Sequence, residues 1–374
     1  MLDEDGSVVT ENHIYCRQMQ ALAGCFEHTL IVCPFTQKQK DSVTSAYNLK
    51  TIDFIQLPNV GGSRIKDKIE LVKTIPTWVS AFDKANKQAD IIYLRMPNNL
   101  NIPGGLYFYF KKAKTFATYT GTWSNYKNEP LTYRFQKWML KHLFNGPVWV
   151  YKDEEKKEKN IFKSYSPSFS ESEWNEESIQ VAERVRRYKN ASITKPVFVT
   201  VGALVPNKNQ QYVLETCKCL KAKGFSFTWY IVGDGTLKKE YEQFVSENSL
   251  QHCVIITGKK TYTELRAIYR SANFLVQPTL VEGFGKAPVE AMAHGVIPVL
   301  NKVAMANEMT GNGKRGYIFD ATDQSSLQEI ILKALGEQHL FGSMIENGRQ
   351  YVKLQTLENW VNDFIYRINV FYSN

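Results

Sequence analysis

The chain has 374 residues, 43% of them hydrophobic and 13% aromatic, which exceeds what one compact core holds and excludes wholesale disorder. Its net charge of +9 suits phosphate-rich small molecules or an anionic membrane surface; no zinc, helix-turn-helix or aromatic RNA-binding signature accompanies it, so no nucleic-acid partner is expected. No apolar run approaches the roughly 18 residues that span a bilayer, and the start Leu-Asp-Glu-Asp-Gly is unlike a secretory signal, which predicts a cytoplasmic protein.

The opening segment Asp3–Glu11 is polar, whereas a doubly wound domain normally begins on a buried strand; the first strand is read as missing. Thr29–Cys33, Ile52–Leu57, Ile91–Leu94 and Val148–Tyr151 are strand candidates, and Ile65–Lys84 has helical periodicity. Between Tyr107 and Lys141 cations mix with aromatics, and Glu129 is the single acid. Such a mix suits an anionic membrane interface or a lipid-diphosphate acceptor, while the plainer reading makes the aromatics core. Lys152–Lys159 reads as a solvated charged surface and Ser164–Ser172 as loop. The domain boundary is placed between Lys189 and Pro196.

From Pro196 to Asp320 strand and helix patterns alternate with little slack. Val197–Val201 is a β-branched strand, Asn209–Lys223 a helix with Tyr212, Val213, Cys217 and Leu220 on one face, and Gly224 its stop. Phe225–Val232 reads as a strand, Leu237–Asn248 as a helix and Cys253–Thr257 as a strand. Thr261 and Glu264 have capping-box spacing and start a helix through Arg270. Asn273–Pro278, a helix at Ala287–His294 and Val296–Leu300 follow. This alternation predicts a parallel sheet covered on both faces, with ligands at the strands' carboxyl ends. The last helix, Leu357–Phe371, carries Trp360, Phe364, Ile365 and Ile368 at helical spacing. Six cysteines form no Cys-x-x-Cys pair and no zinc spacing with histidine, so they read as reduced thiols.

Three strand-end loops carry chemistry. In Pro278–Gly295, Gly283 and Gly285 let the backbone approach a ligand, and Pro288 lies in the first turn of a helix whose N–H groups and dipole face an anion. Glu282 in the loop and Glu290 one turn into the helix place two carboxylates toward one cleft. Gly202-Ala203 with Lys208 forms a second loop and Gly233-Asp234-Gly235 a third. Taken singly, the paired acids, the lysine and the tight turn are common surface features; their order along one sheet is what argues for a site.

The segment resembles the Glu-x7-Glu signature of the large retaining glycosyltransferase family of GT-B fold, the glycosyl transferases group 1, and the order of the other two loops is similar. The likeness runs from about Pro196 to Asp320 and is loose before it. It implies an α/β protein with two Rossmann-like doubly wound domains facing a cleft. Residues 1–192, completed by a C-terminal helix at 355–374, form the acceptor-side domain, and 193–354 bind the donor. By that resemblance Glu290 holds the ribose of a nucleotide-diphosphate sugar and Glu282 meets the sugar hydroxyls. Lys208 pairs with the diphosphate, the Phe284–Lys286 backbone contacts sugar and diphosphate, and the Gly258–Thr261 loop with Lys259 lies near the base. Gly202, Ala203, Gly233, Gly283 and Gly285 complete the donor site, with Glu282 and Lys208 as its catalytic pair. Gly6 with His13, as remnant of a glycine-rich loop, and Arg95 stand on the acceptor side. No metal or cofactor is expected.

The implied activity is transfer with retention to a glycan or lipid-linked acceptor in bacterial surface polysaccharide synthesis, on the cytoplasmic side and peripheral to the inner face of the plasma membrane. Ala203 departs from the family's arginine, a charge-assisted contact of about 1.5–3 kcal/mol that Lys286 or Arg95 would have to supply. The alternative reading is a non-catalytic nucleotide-sugar-binding or scaffold protein of the same fold.

Overall fold

The computed structural model describes all residues except 4–5, 37, 39–42, 61–64, 127, 153–157, 191, 304 and 374, and only the backbone of 65–69, 71 and 190. Asp5 and most of the charged run Lys152–Lys159 therefore lie outside the described residues. The chain divides into two compact units, Met1–Pro167 with Leu357–Asn374, and Ser168–Thr356.

In the first unit, β1 (Val9–Thr10) pairs antiparallel with β3 (Ser45–Ala46), on either side of α1 (His13–Ala23) and β2 (Thr29–Pro34). β2 pairs in parallel with β4 (Ile52–Leu57). After α2 (Ile65–Gln88) come β5 (Ile92–Met96), α3 (Asn101–Phe110), β6 (Thr115–Thr122), α4 (Leu131–His142), β7 (Val148–Tyr151) and β8 (Ile161–Lys163). The last four strands form a parallel sheet in chain order. Among the described residues no parallel strand precedes β2, and no ladder joins the β2–β4 pair to the β5–β8 sheet.

Side chains alternate faces along each strand, which separates two cores. One joins Trp78 and Phe82 of α2, Phe108 of α3 and Met139 of α4 to Leu94, Ala117, Val148 and Val150. The other joins Met19 and Leu22 of α1 to Phe116, Trp149 and the C-terminal helix Leu357–Ser373. There the Phe364 ring lies 4.2 Å from Trp149 and 4.3 Å from Trp360, and Trp149 Nε1 donates to Asp363 at 2.7 Å.

The mixed segment Tyr107–Lys141 thus splits in two. Phe108, Phe116, Tyr119 and Trp123 are core, and Lys137 is buried against Glu129 while donating to Trp123 O at 3.2 Å. Phe110, Phe135 and Trp138 remain exposed. The serine-rich stretch is irregular as far as Ser170, which caps the helix Glu171–Glu176, so the expected loop ends two residues early; Ser164, Ser166 and Ser168 are buried, and Gln18 donates to Ser166 Oγ at 3.0 Å and Pro167 O at 2.8 Å.

The second unit opens with α5 (Glu171–Glu176) and α6 (Ser178–Asn190). It begins at Ser168 rather than near Lys189–Pro196, because α6 belongs to its core. Val181 and Val185 pack with Phe198 and Phe341, and Arg184 donates to Ala272 O at 2.6 Å. Then follow β9 (Val197–Val201), α7 (Gln210–Ala222), β10 (Thr228–Val232), α8 (Lys238–Glu247), β11 (Val254–Gly258), α9 (Tyr262–Ser271), β12 (Phe274–Gln277), α10 (Lys286–Ala293) and β13 (Ile297–Asn301). α11 (Ala306–Thr310), β14 (Tyr317–Phe319), α12 (Ser326–Gly336) and α13 (Phe341–Lys353) complete it. The capping box that opens α9 is present in both halves, Thr261 accepting from Glu264 N and Glu264 from Thr261 N. β10 begins at Thr228, later than the apolar run that starts at Phe225, because Phe225 N still closes the end of α7 onto Leu220 O at 3.0 Å.

All six strands are parallel, in the order β11-β10-β9-β12-β13-β14. One face is covered by Val213, Leu220, Tyr241, Leu327 and Phe341, the other by Tyr269, Ala287 and Ala291. No helix among the described residues is long and apolar enough to cross a membrane.

Phe364 is fully buried in the second core of the first unit. Phe364→Ala is expected to cost about 3–5 kcal/mol, read as a lower urea midpoint for the first unit's transition, followed by tryptophan fluorescence.

Candidate functional site

The strand order of the second unit reverses between β9 and β12. Their connections therefore leave in opposite directions and open a crevice at the carboxyl ends, the place where such sheets bind ligands. Lys208 comes from the loop after β9 and Glu282 from the loop after β12. Leu280 N donates to Asn207 O at 2.9 Å, Thr279 Oγ1 to the same carbonyl at 3.2 Å, and Asn209 Nδ2 to Pro278 O at 3.4 Å. So laced, the loops bring Lys208 Nζ into hydrogen-bonded contact with Glu282 Oε2, with both side chains about a quarter exposed. A cation and a carboxylate thus share one solvent-reachable point.

Gly285 stands at the N-cap of α10 with φ +76°, in the left-handed region that favours glycine, and has no side chain of its own to cap the helix. The first turn of α10 then presents backbone N–H groups and the positive end of the helix dipole beside Glu282, whose Cγ lies 3.5 Å from where a Cβ on Gly285 would sit. Phe284 is buried and anchors the loop. Pro288 sits in the first turn, as its missing N–H requires. Glu290 is one turn further in and only 4% exposed, with Oε2 accepting from Tyr269 Oη at 3.1 Å.

The loop of Gly202 and Ala203 is packed by that of Gly233. Gly202 N donates to Val232 O and Gly233 N to Gly258 O, each at 3.0 Å, and a Cβ on Gly233 would lie 1.9 Å from Gly202 O. Close backbone approach therefore accounts for the glycine at 233. Ala203 is exposed, and Lys259 is exposed just past the end of β11. The structure thus brings Lys208 and Glu282 together on the two central loops, with Gly202 on the first of them, Gly285 and Lys286 at the start of α10, and Gly233 and Lys259 on the loops after β10 and β11.

Gly6, His13 and Arg95 belong to the first unit. Gly6 forms a turn, its N donating to Asp3 O at 3.0 Å. His13 Nδ1 is 2.7 Å from Ser45 Oγ, a tether between α1 and β3. Arg95 donates to Gln18 at 3.0 Å and lies 4.8 Å from the Tyr15 ring centroid.

A charged cluster behind α10 escaped the sequence reading. Glu177, buried, accepts from Arg266 at 2.6 Å and from Arg270 at 2.6 Å and 3.1 Å, and lies 3.7 Å from His294 Nε2. Burial alone would raise the Glu177 carboxyl, but the two guanidinium bonds bring it down to about 2. His294 Nδ1 is 2.8 Å from Glu290 O, and burial lowers this imidazole to about 4. Residues far apart in the chain build the cluster, so no local spacing announces it; His294 lay inside the central motif but read only as a helix end.

Residues 182–351 match the model of the family "Glycosyl transferases group 1". That match lies within the second unit. Among curated relatives, the chain is 31% identical over 161 residues to an uncharacterized glycosyltransferase of Methanocaldococcus jannaschii, covering 43% of this chain and 44% of that one. It is 25% identical over 177 residues to the capsular polysaccharide biosynthesis glycosyltransferase CapM of Staphylococcus aureus, covering 44% and 45%. The chain spans less than half the length of these relatives. HepE of Anabaena, solved with UDP and glucose, superposes with a TM-score of 0.69 at 14% identity, over 95% of this chain and 96% of that one. A glycosyltransferase of Rickettsia africae superposes with a TM-score of 0.66 at 15% identity, over 98% and 97%. The fold is GT-B.

The His294 imidazole generates a pH prediction for this domain. Its native value of about 4 lies below the ordinary 6.5, so between those limits the unfolded chain binds the extra proton and stability falls as pH falls. The loss approaches roughly 3 kcal/mol at about 1.4 kcal/mol per unit. His294→Asn should flatten the stability profile between pH 6.5 and 4 in urea denaturation. The further loss from Glu177, which sets in below its ordinary 4.5, should persist in the variant.

Proposed function

We propose that the chain is a retaining glycosyltransferase that moves a sugar from a nucleotide-diphosphate donor to a glycan or lipid-linked acceptor in bacterial surface polysaccharide synthesis. The observation that carries this reading is the meeting of Lys208, Glu282 and the α10 N-terminus at the switch point of the sheet. The difficult step is leaving-group departure. As the bond from the anomeric carbon to the phosphate oxygen breaks, negative charge grows on the diphosphate, and fixed cations and backbone donors there stabilise the transition state more than the ground state. Lys208 and the helix end supply that charge; Glu282, released from Lys208 as the diphosphate takes its place, accepts from the sugar hydroxyls. Glu290 accepts from the ribose, and the residues present call for no metal. The acceptor hydroxyl attacks from the face the diphosphate leaves.

Ala203 favours a second reading, a nucleotide-sugar-binding protein without turnover, since no cation extends from that loop position. Screening UDP-, GDP- and ADP-sugars by thermal shift identifies the donor, because a ligand at 100 times its Kd adds about 2.7 kcal/mol of stability. With that donor, Lys208→Ala and Glu282→Gln should each lower the rate of transfer by roughly two to three orders of magnitude. If the unaltered chain binds donor but neither hydrolyses nor transfers it, and Ala203→Arg restores turnover, the second reading stands.

The acceptor side of this proposal is a membrane surface. On α4, Leu131, Phe135 and Trp138 recur at helical spacing on the face opposite the core, 77%, 39% and 47% exposed, with Arg134 and Lys141 exposed beside them. The Phe135 and Trp138 rings stack at 5.7 Å. An apolar stripe flanked by cations is complementary to an anionic lipid surface, where the rings sit at headgroup depth. Sedimentation should show binding to phosphatidylglycerol vesicles, weakened at high salt and absent with phosphatidylcholine. Phe135→Ser with Trp138→Ser should reduce it at least about tenfold, as the loss of two buried rings requires.

A further inference from the structure

We propose that Tyr269 is a positioning residue of the nucleotide site, its hydroxyl fixing the Glu290 carboxylate in the orientation that receives a ribose diol. The inference rests on the reading of Glu290 given above and adds a residue that neither the motif nor the family resemblance assigns.

Tyr269 lies in the last turn of α9, 1% exposed, with its hydroxyl 3.1 Å from Glu290 Oε2. The tyrosine hydroxyl is the donor and Glu290 Oε2 the acceptor. Burial first, and the neighbouring Glu290 charge second, hold the phenol far above its ordinary range, so it remains a donor throughout the pH range of the fold.

The ring has little freedom of its own. It packs in the apolar cluster of Leu275, Ala287 and Ala291 between α9, α10 and the sheet. The His294 ring is tilted against it at 5.3 Å. Its backbone is pinned as well: Arg184 Nη2 donates to Tyr269 O at 3.2 Å and Nη1 to Ala272 O at 2.6 Å, closing the carbonyl end of α9. The hydroxyl is therefore a fixed point toward which Glu290 turns.

This matters for a ligand because a glutamate has three side-chain torsions, and ordering them on binding costs free energy. With Oε2 engaged by Tyr269, the carboxylate plane is set before the nucleotide arrives, and so is the direction in which Oε1 accepts. A vicinal diol is the part of a nucleotide that donates to such an acceptor. Removing the hydroxyl alone should therefore weaken binding of nucleotides that carry the diol and leave those without it unaffected.

The test is isothermal titration of the unaltered chain, Tyr269→Phe, Glu290→Gln and the double variant with UDP, GDP and ADP, each beside its 2′,3′-dideoxy analogue. The unaltered chain should prefer the ribose form by roughly tenfold or more, the scale of hydrogen bonds to a charged group. Tyr269→Phe should shrink that preference about fivefold while dideoxy affinity stays within about twofold, and should add nothing in the Glu290→Gln background. Equal loss for both forms, or a preference intact in Tyr269→Phe, overturns the proposal and leaves Glu290 as ribose ligand. An unaltered chain that binds both forms equally, or binds none of the three diphosphates, removes the Glu290 reading itself and this proposal with it.

Discussion

A six-stranded parallel sheet whose order turns back between β9 and β12 leaves two neighbouring strands with connections running to opposite sides. Everything at the site of the second unit depends on that reversal. Lys208 and Glu282 are 74 residues apart in the chain, yet they leave adjacent strands at the same end. The backbone bonds of Asn207 to Thr279 and Leu280 then close the remaining gap. The glycine at 233 serves the same convergence, because any larger residue would push the Gly202 loop away from its neighbours.

The rear of α10 is organised differently from its front. In front, an ion pair with both side chains about a quarter exposed sits within reach of water, where opposite charges attract weakly. Behind, the buried Glu177 is held by short bonds from the partly exposed Arg266 and the exposed Arg270, with the buried His294 beside it. Removing either arginine there leaves the buried Glu177 charge less well compensated.

How much of this was legible in the sequence follows from the range of the interactions involved. The β/α rhythm from Val197 to Leu300 is written in local periodicity and turn residues, and Thr261 with Glu264 capped α9 as their spacing predicts. The pairing of Lys208 with Glu282 was accessible through motif order, since both stand at strand ends. Tyr269, Arg184 and Glu177 were not, because each acts through a partner on another element. In the first unit, Phe116 and Tyr119 share a Thr-rich strand with cations nearby, and composition could not separate core rings from the exposed rings Phe135 and Trp138. The boundary was misjudged for a similar reason. α6 looks like a charged connector in sequence, and only Val181, Val185 and Arg184 tie it to the second core.

The C-terminal helix also sets an order of events during synthesis. Residues 168–356 are contiguous, so that unit has all its own strands and helices once residue 356 has left the ribosome. The first unit must wait longer: the Trp149 indole and the Phe116 ring find Asp363, Trp360 and Phe364 only after those residues have been translated as well. Until then Phe116 and Trp149 have the cover of α1 but not of the C-terminal helix. Although it is made first, the N-terminal unit is the one whose nascent form most needs shielding from other chains.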